Sequence, residues 1–309
     1  ETFLQDALDH STLIARTPNV TAAMNELSAT YNQLLLDGNN GGPLNSADMA
    51  TRRQASAEFY STGFLEEFAE KNADQSLDTA DFVTALPDAS VALQYAYIVQ
   101  NPYSTEERYK LTVAPDGSAY STAHGKYIET LRDLAASLNF QDIHLVNPDG
   151  ILIFTTKKQV DIGNSLITGP LAQSPMADAY RRVTENLTDR NAKIGDLAAF
   201  YPAFNEQNMF TAAPIYQGDT FLGVVTLEIP VEQIDALMTN NADWKSLGLG
   251  ESGETHLVRL EDGVYLSNKR GLIENPDEWL ASRVSSGRIT QVQADLIRAK
   301  DNVAGLYYE

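Results

Sequence analysis

The sequence predicts an α+β chain of two tandem domains of one kind, each an antiparallel sheet with helix on one face, preceded by a long N-terminal helix. Three observations carry this. Residues 142–156 hold two short apolar and β-branched runs joined by Asn147-Pro148-Asp149-Gly150, which is hairpin chemistry. The same words return about 110 residues later, near the usual size of one domain. His144-Leu145-Val146 recurs as His256-Leu257-Val258, and Asp149-Gly150 as Asp262-Gly263. Third, Leu4, Ala7, Leu8, Leu13, Ile14, Met24, Leu27, Tyr31, Leu34 and Leu35 follow helical spacing.

Taken in order, that stripe predicts one long amphipathic helix or two. Thr17-Pro18 fits an N-cap with proline at the first helical position, so the helix restarts or bends there. Unbroken, about 30 residues would span roughly 45 Å. Asp37 to Pro43 stops it, and a second helical region runs from Ser46 to Lys71. Val91 to Gln100 is a continuous apolar and aromatic run, expected as a strand buried on both faces. Ser118 to Leu138 carries Tyr120, His124, Tyr127, Leu131, Leu134 and Leu138 at alternating spacings of four and three, as in a helix laid on a sheet. The first hairpin follows, then a helix near 176–186 and strands at 193–201, 208–216 and 220–229. The last two strands are joined by the tight turn Gln217-Gly218-Asp219. After a helix at 231–238, a second unit gives a hairpin at 254–268, helices near 274–283 and 289–300, and a strand opening at Asn302. The expected division is a helical region 1–85, a first domain 86–240 and an incomplete second domain 241–309.

Composition narrows the function. With 43% hydrophobic and 9% aromatic residues the chain is globular. It carries 22 Lys+Arg against 42 Asp+Glu, a net charge of −20, and no basic run longer than two residues, so nucleic acid is not an expected partner. No cysteine is present, which excludes disulfides, thiolate catalysis and Cys-based zinc sites. There is no 18-residue apolar run to span a membrane. The chain begins at Glu1 with no signal-peptide pattern, which is expected of a fragment of something longer.

Catalytic and cofactor motifs are weak. Gly248-Leu249-Gly250-Glu251-Ser252-Gly253 spells a dinucleotide fingerprint, but a helix precedes it and a strand follows, the reverse of what phosphate binding needs. Gly250-Glu251-Ser252-Gly253-Glu254 lacks the last glycine of a nucleophile elbow. The four histidines, His10, His124, His144 and His256, include no pair at helical metal-ligand spacing, so neither metal nor cofactor is expected. Taken singly, His124, His144 and the tyrosines read as packing residues. A ligand site rests on convergence: Tyr95, Tyr97, His124, Tyr127, Asp142, His144, Tyr201 and Phe210 come from elements that one concavity could gather.

Several segments together resemble double Cache sensor domains, the tandem PAS-like extracytoplasmic modules of bacterial histidine kinases, chemoreceptors and nucleotide cyclases. They are Tyr95-Ala96-Tyr97-Ile98-Val99-Gln100-Asn101-Pro102, Asp142 to Val146 with its Asp-Gly turn, and Lys157 through Asp161-Ile162-Gly163. Ala212-Ala213-Pro214-Ile215-Tyr216 and Gly248 to Thr255 complete the set. The resemblance implies a PAS-like fold twice over and a place between two transmembrane helices of a cell-membrane receptor, on its periplasmic or extracellular side. It also implies a homodimer in the full-length receptor, and a small-molecule ligand in the membrane-distal domain. Amino-acid-binding members carry an Arg-x-Trp-Tyr pattern. The matching stretch here, Tyr180-Arg181-Arg182, has no Trp, so the resemblance implies no particular ligand. Tyr201 falls where those members have a pocket tyrosine and is carried over on that ground. A non-catalytic sensor module is the expected function; the rival is a module whose distal pocket is filled by its own side chains and which senses through a partner protein.

Overall fold

A computed structural model describes residues 2–72 and 77–307. The N-terminal stripe folds as two helices, α1 (Thr2–Ala15) and α2 (Pro18–Tyr31). Thr17 is extended, and its Oγ1 accepts from Val20 N at 3.3 Å while Pro18 opens α2, so the break falls where the cap signal predicts it. A short turn of helix, α3 (Leu34–Asp37), ends in the bridged loop Asn39–Gly42. Helix α4 (Ser46–Glu58) starts in a capping box made by Asn45 and Asp48. It runs through a π-helical stretch, Phe59–Phe64, into α5 (Leu65–Lys71). Helix α6 (Ala80–Thr84) follows.

The run expected as a strand at 91–100 is helical. It forms α7 (Asp88–Gln94) and continues as a π-helical turn, Tyr95–Val99. Val91, Ala92 and Leu93 are wholly buried, and a helix buried all round needs no polar stripe. Its sequence is then indistinguishable by periodicity from a strand covered on both faces.

Helix α8 (Ala119–Ser137) and the hairpin β1 (Asp142–Val146) and β2 (Leu152–Thr155) follow the expected order. Gly150 takes φ 78° in the turn, and Asn147 Oδ1 accepts from the amides of Asp149 and Ile151, so this turn is built from its own side chain. Helix α9 (Pro175–Thr184) leads to β3 (Lys193–Ile194) and β4 (Ala198–Phe200), two short pieces where one strand was expected. The long pair β5 (Glu206–Gln217) and β6 (Thr220–Ile229) completes a six-stranded antiparallel sheet of order β2-β1-β6-β5-β3, with β4 on β5.

The chain divides into two compact units. The first holds Glu1–Glu66, Leu77–Asp196 and Met209–Ile229, and the second Glu67–Ser76, Leu197–Asn208 and Pro230–Glu309. In the first, α1 and α2 pack on β6 and α8 packs on β1. The second contains α10 (Val231–Thr239), α11 (Arg270–Glu274), α12 (Pro276–Ser285) and α13 (Gln291–Lys300). Its core is Tyr265, Leu272, Leu280, Ile289, Ala294, Ile297, Val303 and Tyr307. The second hairpin turn forms, with Arg259 N donating to Val264 O and a bridge between Val258 and Tyr265. The strand expected at 302–308 is not assigned up to Tyr307, although Tyr265 N donates to Tyr307 O and Gly305 N to Tyr265 O; Tyr308 lies outside the described residues. Among the described residues no helix is long and apolar enough to cross a membrane.

Candidate functional site

Pleating decides which candidates can meet. In β1, Asp142 and His144 point to one side and Ile143 and Leu145 to the other. The register pairs Asp142 with Glu228, His144 with Thr226 and Phe210 with Glu228, so these five share a face. Ile143, Leu145, Leu227 and Thr211 share the opposite face with Phe154. The helices cover this second face: Ser11 Oγ lies 2.6 Å from Thr211 Oγ1, and the His124 ring lies 5.2 Å from that of Phe154.

The seven expected site residues of the first unit therefore do not gather in one concavity. Asp142, His144 and Phe210 do come together, with the His144 and Phe210 rings 5.9 Å apart. Tyr97 and His124 belong to the helix-covered side, 4.5 Å apart ring to ring. There Tyr97 donates to Ser121 Oγ at 3.1 Å, and His124 Nδ1 lies 2.6 Å from Thr112 O. Burial pushes the Tyr97 hydroxyl up and holds His124 well below its ordinary value, so the imidazole is neutral. Tyr127, buried on α8 where α2 packs against it, donates to Glu26 Oε2, which also pairs with Lys126. Tyr95 sits half-buried on the π-helical turn, and Tyr201, half-buried, opens a 3-10 turn in the second unit.

The Asp142 face is a closed polar cluster. Asp142 accepts from Thr155 Oγ1, from the amide and hydroxyl of Thr156, and from Lys157 N at 3.2 Å, because the chain turns sharply after β2 and wraps this carboxylate. His144 Nε2 stands 3.2 Å from Asp142 Oδ2 and 3.2 Å from Asp161 Oδ2, and its Nδ1 is 3.4 Å from Thr226 O. Burial opposes a charge on His144, but the carboxylates of Asp142 and Asp161 outweigh it and hold the imidazole up at about 10. Asp142 is likewise buried, and His144 and Lys157 together bring it below the usual carboxylate range. Glu228 moves the other way: burial raises it against the pull of Lys157, whose Nζ is 3.4 Å from Oε2, and the charges of Asp142 and Asp161 add to the rise. Asp161 owes its place to a loop pinned from outside, since Gln94 Nε2 donates to the carbonyls of Val160 and Ile162 and Asn164 Nδ2 to Val160 O. Asp142, His144 and Glu228 each offer an atom within 4.8 Å of the others, the spacing of metal ligands. Beside the cluster, the wholly buried Lys158 has no hydrogen-bond partner for Nζ among the described residues, and burial pushes it down to about 7.

A second place is open. Thr51, Arg52, Tyr95, Gln100, Asp116 and the loop Gly38–Asn40 border a cleft of about 350 Å³. Arg52 continues the buried stripe of α4 between Met49 and Ser56, so its guanidinium is delivered to the cleft from the helix's inner side. It lies 4.9 Å from the Tyr95 ring centroid and donates to Gly38 O at 2.6 Å. Burial lowers the Arg52 pKa, and the charges of Tyr95, Asp116 and Asp48 oppose that. The wall is rigid: a Cβ on Gly117 (φ 71°) would come 2.8 Å from Gly41 N, and Gly41 N donates to Asp116 O.

Three residues here were not singled out from sequence, and each had a signal. Glu228 is a lone acid inside the apolar run Val224-Val225-Thr226-Leu227-Glu228-Ile229. Arg52 occupies a stripe position. Asp161 lies in the Lys157–Gly163 segment that carries part of the family resemblance.

No protein-family model matches the chain, and no curated protein is similar to it. Solved structures that match include the ligand-binding domain of the Pseudomonas aeruginosa amino acid chemoreceptor PctC in complex with GABA, at 15% identity over 38% of this chain and 50% of that one, TM-score 0.28. The sensor domain of the V. cholerae histidine kinase DctB matches at 13% identity over 59% of each chain, TM-score 0.30. The sensory domain of the Campylobacter jejuni chemoreceptor Tlp3 with isoleucine bound matches at 14% over 72% and 67%, TM-score 0.28. The chain spans between half and three fifths of the first two. These are sensor and ligand-binding domains of chemoreceptors and of a histidine kinase.

Proposed function

We propose that this chain is the extracytoplasmic sensing region of a transmembrane signalling receptor of the double Cache kind, that it has no enzymatic activity, and that it binds a small polar molecule in the Arg52–Tyr95 cleft. The observation that carries the reading is the cleft itself, about 350 Å³ with a guanidinium stacked on a tyrosine at its wall. That falls within the roughly 300–1,000 Å³ of small-molecule sites, which combine an apolar surface with a few placed polar groups. Arg52 would take a carboxylate or another planar acceptor, and Asp48 and Asp116 nearby favour a molecule that also carries a donor. The closed Asp142 face supports the rival on one point, since His144, Thr226 and Phe210 fill that side of the sheet with no measurable exposure. A module that senses through a partner protein would need no open pocket at all.

The test is a thermal-shift and calorimetric screen of the purified chain against amino acids, dicarboxylates, amines and sugars. Arg52→Gln and Tyr95→Ala are run beside the wild type. A ligand at a hundred times its Kd adds about 2.7 kcal/mol of stability, and both variants are expected to lose that gain. A gain that both variants keep moves the site elsewhere; no gain with any compound favours the partner-protein reading.

A further inference from the structure

We propose that the closed face of the sheet is a site for one divalent transition-metal ion, held by His144 and by carboxylate oxygens of Asp142 and Glu228. This is separate from the cleft and does not depend on what the cleft binds. One imidazole with two carboxylates suits zinc, manganese, iron(II), cobalt or nickel.

The geometry is that of a coordination shell. Asp142, His144 and Glu228 each offer a ligand atom within 4.8 Å of the other two. The His144 Nε2 to Asp142 Oδ2 distance of 3.2 Å is close to the edge of about 3.3 Å in a tetrahedron with bonds of about 2.0 Å. Asp161 Oδ2 is also 3.2 Å from His144 Nε2 but is not one of that group of three. The outer contacts are of the kind that orient ligands. Thr155, Thr156 and Lys157 fix Asp142, the Thr226 carbonyl takes His144 Nδ1, and Lys157 holds Glu228 Oε2. That last contact leaves Oε1 turned away from the lysine.

A second observation points to a missing occupant. Thr226 stands directly opposite His144 on this face, is wholly buried, and its Oγ1 has no hydrogen-bond partner among the described residues. Glu228 Oε1 and Asp161 Oδ1 are equally without one, in side chains that are 1% and 0% exposed. Buried oxygens left unsatisfied are costly, and three carboxylates here face one histidine and one lysine. A divalent ion supplies both the coordination and the charge. Because every donor is buried, the ion enters as the protein folds, and the test includes refolding.

The untagged chain is refolded with Co²⁺, Zn²⁺, Mn²⁺ or Ca²⁺, dialysed, and assayed for bound metal, melting temperature and the visible bands of tetrahedral cobalt. Expected are one equivalent of Co²⁺ or Zn²⁺ per chain, a raised melting temperature and strong cobalt bands. Asp142→Asn and Glu228→Gln should each weaken Co²⁺ binding by more than about tenfold, while Arg52→Gln leaves it unchanged. Absence of stoichiometric metal and of cobalt bands in folded wild-type chain would overturn the proposal and leave a proton-held ion cluster. Bands that persist unchanged in both carboxamide variants would overturn it as well, since the ion would then lie elsewhere.

Discussion

His124 and His144 are both wholly buried against the same sheet, on opposite faces, and they carry opposite charge states. On the helix-covered face His124 meets a carbonyl, a phenylalanine and two tyrosines, and burial, with the positive charges of Lys158 and Arg132 adding to it, keeps the ring neutral. On the other face His144 meets two carboxylates at 3.2 Å, and they reverse the effect of the same burial. Burial favours the neutral ring on both faces, and the close carboxylates on one of them outweigh it.

The largest effect should come from breaking the charged face. Asp142→Ala leaves His144 with one carboxylate and removes the acceptor of the turn at 155–157, and urea denaturation should show a loss of about 3–5 kcal/mol. A loss below about 1 kcal/mol would mean that the two faces are alike. Next is Lys158, whose depressed pKa is a penalty: the unfolded chain holds the proton up to about 10.5 and the folded chain only to about 7. The penalty is full below pH 7 and fades as pH rises towards 10.5. Lys158→Met should therefore stabilise the chain by on the order of 1–3 kcal/mol at pH 6 and by little at pH 10. In metal-free protein His144 has the opposite slope, because stability held below its unfolded value near 6.5 is lost as pH rises through about 10.

On the neutral face, His124→Phe should cost only about 1 kcal/mol, the price of one carbonyl contact. Imidazole NMR sharpens this comparison directly, with the His124 signal neutral at pH 7 and the His144 signal still protonated at pH 8. The smallest effect is expected at Leu13, 63% exposed on α1 while Ile14 beside it is buried. Leu13→Ser should change the stability of the isolated chain by less than about 0.5 kcal/mol. In the proposed dimeric receptor, a cysteine at 13 should crosslink to the second copy and one at 14 should not.

Much of the α+β architecture could be read locally. The hairpin at 142–155, the helix from 119 and the β5–β6 pair each carry their own turn or cap chemistry. The run at 91–100 could not, since an apolar stretch buried on every side has no period to read. The second hairpin repeats the words of the first, but among the described residues it closes on one bridge; a turn specifies itself, whereas a sheet needs strands from elsewhere. The site was legible as residue types and not as a place. Asp142 and His144 are two apart in one strand and stayed together, whereas Asp161 joins them through a loop anchored by Gln94, a residue with no sequence mark of that duty.

The cap at Thr17 gives the N-terminal segment a mechanical character that a single rod would lack. A continuous helix of about 30 residues would deliver a push or a twist undiminished from one end to the other. Here two rods of 14 residues meet at one extended residue, so thrust along α1 reaches α2 as a change of angle about Thr17. Both rods also lie on β6, so a tilt of α1 about that joint would press on the strand that carries Glu228.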